Sequence, residues 1–343
     1  MAGALSNLAM APFFLAPVLF LTLPILVWLI DGAAGEERGT RAALLAAARA
    51  GWWFGFGYFL LGLFWIGEAF LVEADTFGWM LPFAVTLMPA GLALFWGAAA
   101  AAARVVWRPG FARLIVLALA LGGFEWLRGH VLTGFPWNVL GYALTWPLVM
   151  MQSAGLVGIY GLTLLAVPVF GAPLVMAADA RPGGERRRAG FRALLITAAP
   201  VLLLVAYGTA RLATAPSETV EGVKIRVVQP SVPQREKWQA DKQAAIFQDH
   251  LDLSRADPTG RRDDLAGVTH VVWPEAAMPF LPLERPEALM AIGDMLPDGV
   301  HLLTGALRRE PAEDGAGDAR GHPFRAFNSL MVFDSAGALA GLY

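Results

Sequence analysis

Cysteine is absent from all 343 residues. Disulfides and thiolate metal sites within this chain are excluded, and so is a thiol nucleophile of its own. Lysine does not occur before Lys224, and the first 30 residues carry no charged side chain. Charged residues reach only 16% against 57% hydrophobic, and the mean hydropathy is +0.54. That balance excludes an ordinary soluble protein. A formal net charge of -2 says nothing about nucleic acid, and no feature suggests its binding: the cluster Arg186, Arg187 and Arg188 reads better as a topology signal. There is no phosphate loop, no G-x-S-x-G elbow and no HExxH. The histidines (His130, His250, His270, His301, His322) lack ligand spacing, so neither a metal nor another cofactor is expected. No signal-peptide cleavage pattern follows the first apolar run. Pro12, Pro17 and Pro24 interrupt that run, which membrane helices tolerate.

What is present falls into two parts, a membrane half over residues 1–212 and a soluble domain over 213–343. Six apolar stretches are long enough to span hydrocarbon: 12–30, 44–69, 79–103, 111–128, 147–178 and 191–211. Residues 1–11 read as the tail of a further helix. Basic connections alternate with non-basic ones. Arg38 and Arg41, then Arg104, Arg108 and Arg113, then Arg181 and Arg186 to Arg188 mark one side. The connections 70–78 and 129–146 contain no Lys or Arg. The basic side is expected to be cytoplasmic, which puts everything after 211 outside the cytoplasm.

Three features of the membrane half stand out. Gly51 and Gly55 form a GxxxG, which predicts close helix packing. Glu125 and Arg128 lie three residues apart near an outer helix end, where they either serve a function or snorkel. Gly134-Phe135-Pro136-Trp137-Asn138 breaks the helix on the non-cytoplasmic side. It reads either as an aromatic belt with a turn or as the wall of a lipid-accessible cavity.

In the second half, strands are expected at 223–229, 269–273, 301–305, 327–333 and from 338, with helices at 234–255 and 285–296. Charged loops are expected at 256–264 and 310–322, the latter Gly-rich. This alternation followed by a hairpin argues an α/β sandwich layer. The strand ending in Val271-Val272-Trp273 stops at Pro274 and delivers Glu275 to its lip. Desolvation there would raise a carboxylate's pKa toward that of a general base. The plain alternative is a solvated loop glutamate.

These residues resemble a family. Leu127-Arg128-Gly129 with Leu132-Thr133-Gly134-Phe135-Pro136-Trp137, then Gly158-Ile159-Tyr160-Gly161-Leu162, match bacterial apolipoprotein N-acyltransferases. So do Val228-Gln229-Pro230 with Pro233-Gln234 and Lys237-Trp238, Val272-Trp273-Pro274-Glu275, Leu303-Thr304-Gly305 and Phe327-Asn328-Ser329. The resemblance implies a polytopic helical membrane domain followed by an α/β nitrilase-like (αββα) domain in the bacterial inner membrane, with the second domain on the periplasmic side. It implies transfer of a fatty acyl chain from phospholipid to the N-terminal amine of diacylglyceryl-cysteine on an apolipoprotein. The implied route is a cysteine thioester and a Glu-Lys-Cys triad. Glu275 matches the family's general base. Trp238 and Asn328 match positions near its active site, and Phe135, Pro136 and Trp137 are candidates for substrate contact beneath the outer domain. The triad's lysine and cysteine are expected beyond Tyr343, so the chain is read as about two-thirds of the family's length and inactive by itself. Two other readings remain: a non-catalytic membrane transporter or scaffold with an outer binding domain, and a membrane-tethered amidase acting on soluble amides.

Overall fold

The computed structural model describes residues 1–33, 40–72, 74–180, 184–216, 218–233, 236–257, 259–263, 265–311 and 324–343. The chain divides into two units, Met1–Pro216 and Ser217–Tyr343.

The first unit is helical: α1 Ala2–Ser6, α2 Leu19–Asp31, α3 Arg41–Gly62, α4 Ala74–Phe77, α5 Leu81–Val105, α6 Ala112–His130, α7 Leu148–Met151, α8 Ala154–Asp179 and α9 Gly184–Thr214. Among the described residues, four helical runs are long and apolar enough to cross a membrane: α3, Ala74–Val105, α8 and α9. The other two expected spans fall short for identifiable reasons. Pro12 and Pro17 keep the chain irregular up to a 3₁₀ turn at Ala16–Val18, so α2 has 13 residues. At 1.5 Å per residue that is about 20 Å, less than the hydrocarbon core of about 30 Å. α6 has 19 residues but includes Arg113, Glu125 and Arg128. Two further stretches are broken. The one predicted over 44–69 leaves the α-helix at Gly62 and continues as a 3₁₀ turn, Phe64–Leu71. The one predicted over 147–178 is α7 and then α8, which kinks where Gly158 takes φ 66°. Residues 1–11 form α1 and a 3₁₀ turn. Arg38 and Arg181, used to orient the helices, lie outside the described residues.

Close packing is seen where the GxxxG predicts it. A Cβ on Gly51 would lie 2.5 Å from the Trp96 carbonyl oxygen, and one on Gly55 2.9 Å from the Trp96 Cβ. α3 and α5 therefore meet backbone to backbone, with Tyr58, Phe59 and Trp96 buried along the seam. Arg113 is buried and bonds Asp31 and Asp179, each at 2.7 Å, tying the ends of α2, α6 and α8.

The second unit contains β1 Ile225–Val227, α10 Gln243–Ser254, β2 His270–Val272, α11 Pro286–Met295, β3 His301–Pro311, β4 Phe324–Phe333 and β5 Leu339–Leu342. They form one sheet in chain order. β1, β2 and β3 are parallel, and β4 and β5 continue antiparallel. Alternation on β3 buries Leu302, Thr304 and Ala306, and Val271, Trp273, Ile292, Met295, Met331 and Phe333 complete the core. Two boundaries differ from the sequence reading. The helix expected from Gln234 begins only at Gln243. Gln234 itself is outside the described residues. After Pro233 the chain turns, and Lys242 bonds Glu236 at 2.7 Å across that turn. The expected loop 310–322 loses Glu310 and Pro311 to β3, which pair with Arg325 and Phe324. Residues 312–322 lie outside the described residues.

Candidate functional site

Glu275 stands on a turn that the sheet grips from both ends. The Trp273 N–H donates to the Leu303 carbonyl at 2.9 Å, and the Ala277 N–H donates to the Gly305 carbonyl at 3.0 Å. Between them the turn lies directly on β3. A Cβ at Gly305 would meet the Glu275 Cα at 2.6 Å and the Ala276 nitrogen at 3.0 Å, so only glycine permits this approach. Ala276 has φ 47°, an uncommon backbone state for a residue with a Cβ, and strain of this kind gathers at functional sites.

Two side chains hold the glutamate. Asn328, on β4, donates its amide to Glu275 Oε1. Lys237 Nζ donates to the Glu275 carbonyl at 3.1 Å. Burial pushes the Lys237 ammonium below the usual lysine range, and the Glu275 charge pushes it partly back. One expectation fails here. Glu275 is exposed, as is Asn328, so these residues do not provide the desolvation predicted for the carboxylate. The buried positions are its neighbours, Trp273 on one side and Ala277 to Pro279 on the other. Trp238 is exposed on the turn before α10, and its neighbour Lys237 makes the contact to Glu275. Lys237 lay inside a matching dipeptide, but nothing in the sequence singled it out from Trp238.

Beside this turn a cleft of about 110 Å³ opens past the carboxyl ends of β1 and β2. Gln229, Ser231, Lys237, His250, Pro274 and Ala277 are among its lining residues. Crevices outside the carboxyl ends of parallel strands are where ligands commonly bind in α/β sheets.

The helical unit has its own built feature. Glu125 and Arg128 are 0% and 1% exposed, so neither snorkels. They do not bond each other; both hold main chain. Arg128 Nη1 donates to the carbonyls of Phe135 at 2.7 Å and Trp137 at 2.8 Å. Glu125 accepts from the Leu140 N–H at 3.0 Å and from the Thr163 hydroxyl at 2.8 Å, and Thr163 accepts from the Gly141 N–H at 3.0 Å. A helix-breaking segment needs such partners, because hydrocarbon offers none. Arg128 also lies 4.9 Å from the Phe59 ring centre. Phe135 is half-buried, whereas Pro136 and Trp137 are exposed. Trp137 is flanked by Trp65 at 5.6 Å and Phe135 at 6.4 Å. The sequence reading missed Thr163, which carries no local signal because its partner is 38 residues away.

Comparison with known proteins bears on the family of the chain. Residues 2–172 match the family model described as the apolipoprotein N-acyltransferase N-terminal domain. The chain is 44% identical to the apolipoprotein N-acyltransferase of Rhodopseudomonas palustris, over 100% of this chain and 62% of that protein. It is 44% identical to the protein of that name from Rhizobium meliloti, over 99% and 61%. Against the Brucella melitensis protein the identity is 41%, over 99% and 61%. The chain thus spans about three-fifths of the length of the curated relatives it matches. With this identity along its whole length, the chain belongs to the apolipoprotein N-acyltransferase family.

Proposed function

We propose that these residues serve an acyltransferase that moves a fatty acyl chain from phospholipid to the N-terminal amine of diacylglyceryl-cysteine on an apolipoprotein. The observation that carries the reading is the main-chain-fixed turn that presents Glu275 at the end of β2. Glu275 takes the proton of a cysteine thiol. The thiolate attacks the phospholipid ester, and the lysophospholipid leaves with a proton. The amine of the acceptor then attacks the thioester, forms an amide and releases the thiol. Asn328 holds the Glu275 carboxylate in place. Trp238 contributes at the mouth of the site, and Phe135, Pro136 and Trp137 meet acyl chains. The scheme requires a thiol that these 343 residues do not contain. In this reading the protein is multi-pass in the bacterial inner membrane. Residues from 217 belong to a nitrilase-like (αββα) domain on the periplasmic side. It uses neither metal nor nucleic acid.

The test is mass-spectrometric detection of acylated cysteine after mixing with phospholipid. A full-length protein carrying these residues forms the thioester, and Glu275→Gln slows that step by at least about 100-fold with the fold intact. The 343-residue chain forms none. Normal acylation by the Gln variant removes Glu275 from the mechanism.

A further inference from the structure

His250 is 1% exposed on α10. Its Nδ1 lies 2.7 Å from the Ile246 carbonyl oxygen. A carbonyl only accepts, so Nδ1 carries the hydrogen, and in the neutral ring Nε2 is left as an acceptor. That Nε2 is buried and has no partner among the described residues. Burial also pushes the imidazole below the usual histidine range, with the Lys237 charge acting in the same direction and Asp249 opposing it. The ring is fixed rather than loose. It stands 5.0 Å from the Trp273 ring, and Ser254, which accepts from Trp273 Nε1, donates to the His250 carbonyl at 2.6 Å. A buried acceptor left unsatisfied costs about 1–3 kcal/mol, so such atoms in native proteins generally have a use.

His250 and Lys237 line the same cleft of about 110 Å³. One water needs only about 10–15 Å³ of such space together with two to four polar partners. The chemistry of the two walls selects the occupant. A group between an ammonium and a bare imidazole nitrogen must accept from the first and donate to the second. A carboxylate cannot donate and a protonated amine cannot accept. A water or a hydroxyl does both. Gln229 and Ser231 supply further polar groups, and Ser231 has φ 55°, so its own backbone is constrained at this wall.

We propose that this cleft is a bound-water site in which one water bridges Lys237 Nζ to His250 Nε2, making Lys237 and His250 positioning residues for the turn that carries Glu275. Lys237 then spends one N–H on the Glu275 carbonyl and a second on the water, which holds the ammonium against the turn. The catalytic meaning of this arrangement rests on the role given to Glu275 above. The bridge itself can be tested without any acyl transfer.

The chain contains only three lysines, Lys224, Lys237 and Lys242. Competitive acetylation of the whole chain in detergent, read peptide by peptide across a pH series, therefore follows Lys237 with two internal controls. Lys242, paired with Glu236, reports on the surrounding fold. In His250→Leu the ammonium loses a bridged acceptor, so its profile moves to lower pH and Lys237 reacts about threefold or more faster at neutral pH. His250→Gln, whose amide oxygen can accept, restores the wild-type profile. Selective ¹⁵N-imidazole NMR of the wild-type chain supplies a second measurement that no folding defect can confound. His250 is expected neutral, with hydrogen on Nδ1 and Nε2 accepting. Lys237 profiles unchanged in His250→Leu, or an Nε2-protonated neutral ring in the wild type, would overturn the proposal.

Discussion

Gly305→Ala is the most exacting test of the turn that carries Glu275. The added methyl meets only main chain: the Glu275 Cα at 2.6 Å, the Ala276 nitrogen at 3.0 Å and the Pro274 carbonyl oxygen at 3.1 Å. No side chain can rotate away to relieve it. The shortest contact must open from 2.6 Å to the 3.4 Å of ordinary packing, a shift of about 0.8 Å between β3 and the turn. That shift strains the Ala277 N–H bond to the Gly305 carbonyl, now 3.0 Å, and moves Glu275 away from Asn328. Overpacking of this kind costs about 1–3 kcal/mol of stability. A misplacement of about 1 Å can cost about 10²-fold in rate. The expected result is therefore a folded protein, slightly less stable, with thioester formation near that of Glu275→Gln. The assay is the acylation time course in a full-length protein, with thermal unfolding in detergent beside it. An alanine variant that acylates within about threefold of wild type and melts normally would refute the reasoning, because the Pro274–Ala276 main chain could then not be held against β3 as described.

Arg128→Leu removes both bonds to the Phe135 and Trp137 carbonyls and leaves buried Glu125 without a nearby opposite charge. It is expected to cost about 3–5 kcal/mol, with Arg128→Lys intermediate because lysine lacks the planar fork; protease cleavage within 131–138 and thermal unfolding measure it. Trp137→Ala removes a side chain that is 54% exposed, so the fold survives while phospholipid use weakens by about 1–3 kcal/mol as a raised KM. Unchanged lipid kinetics would leave only an aromatic belt. For sidedness, the cysteine-free chain accepts single probes directly. Gly184→Cys and Asp241→Cys are expected to react with an impermeant reagent from opposite faces of the membrane. Labelling from one face would reject the proposed topology.

Strong periodicity made much of the second unit legible in advance. The parallel strands around Val271 and Leu302 and the hairpin turn at 334–337 lie where alternation and turn residues predict them. Propensity could not place the start of α10, because the pairing of Lys242 with Glu236 and the bonds from 236 and 237 to Pro233 decide it. Nor could it place the end of β3, which is set by the register of Arg309 against Ala326 and Pro311 against Phe324. In the helical unit, hydropathy found every apolar stretch. It overestimated how far 12–30, 44–69 and 147–178 stay helical, since Pro17, Gly62 and Gly158 act through local backbone geometry that an average over a window erases, whereas α5, α6 and α9 are as long as expected or longer. The candidate residues divide in the same way. Glu275 and Asn328 could be named from motifs, and the structure brings them together. Lys237 and Thr163 depend on partners 38 residues away, and His250 matters through a cleft it shares with Lys237 and Pro274; a single sequence does not show such pairs.

Glu275 and Trp137 share a design that explains why both are exposed. In each segment the main chain is what the protein secures. Arg128 holds the carbonyls of 135 and 137, and Glu125 with Thr163 holds the amides of 140 and 141. Gly305 and Lys237 do the equivalent for residues 275 to 277. A backbone fixed in advance by its partners can present a side chain outward without paying again for its order when a ligand arrives. Burial of Glu275 itself is then not needed in the unliganded state. A docked acyl chain can supply the desolvation that a base requires, at the moment it is useful.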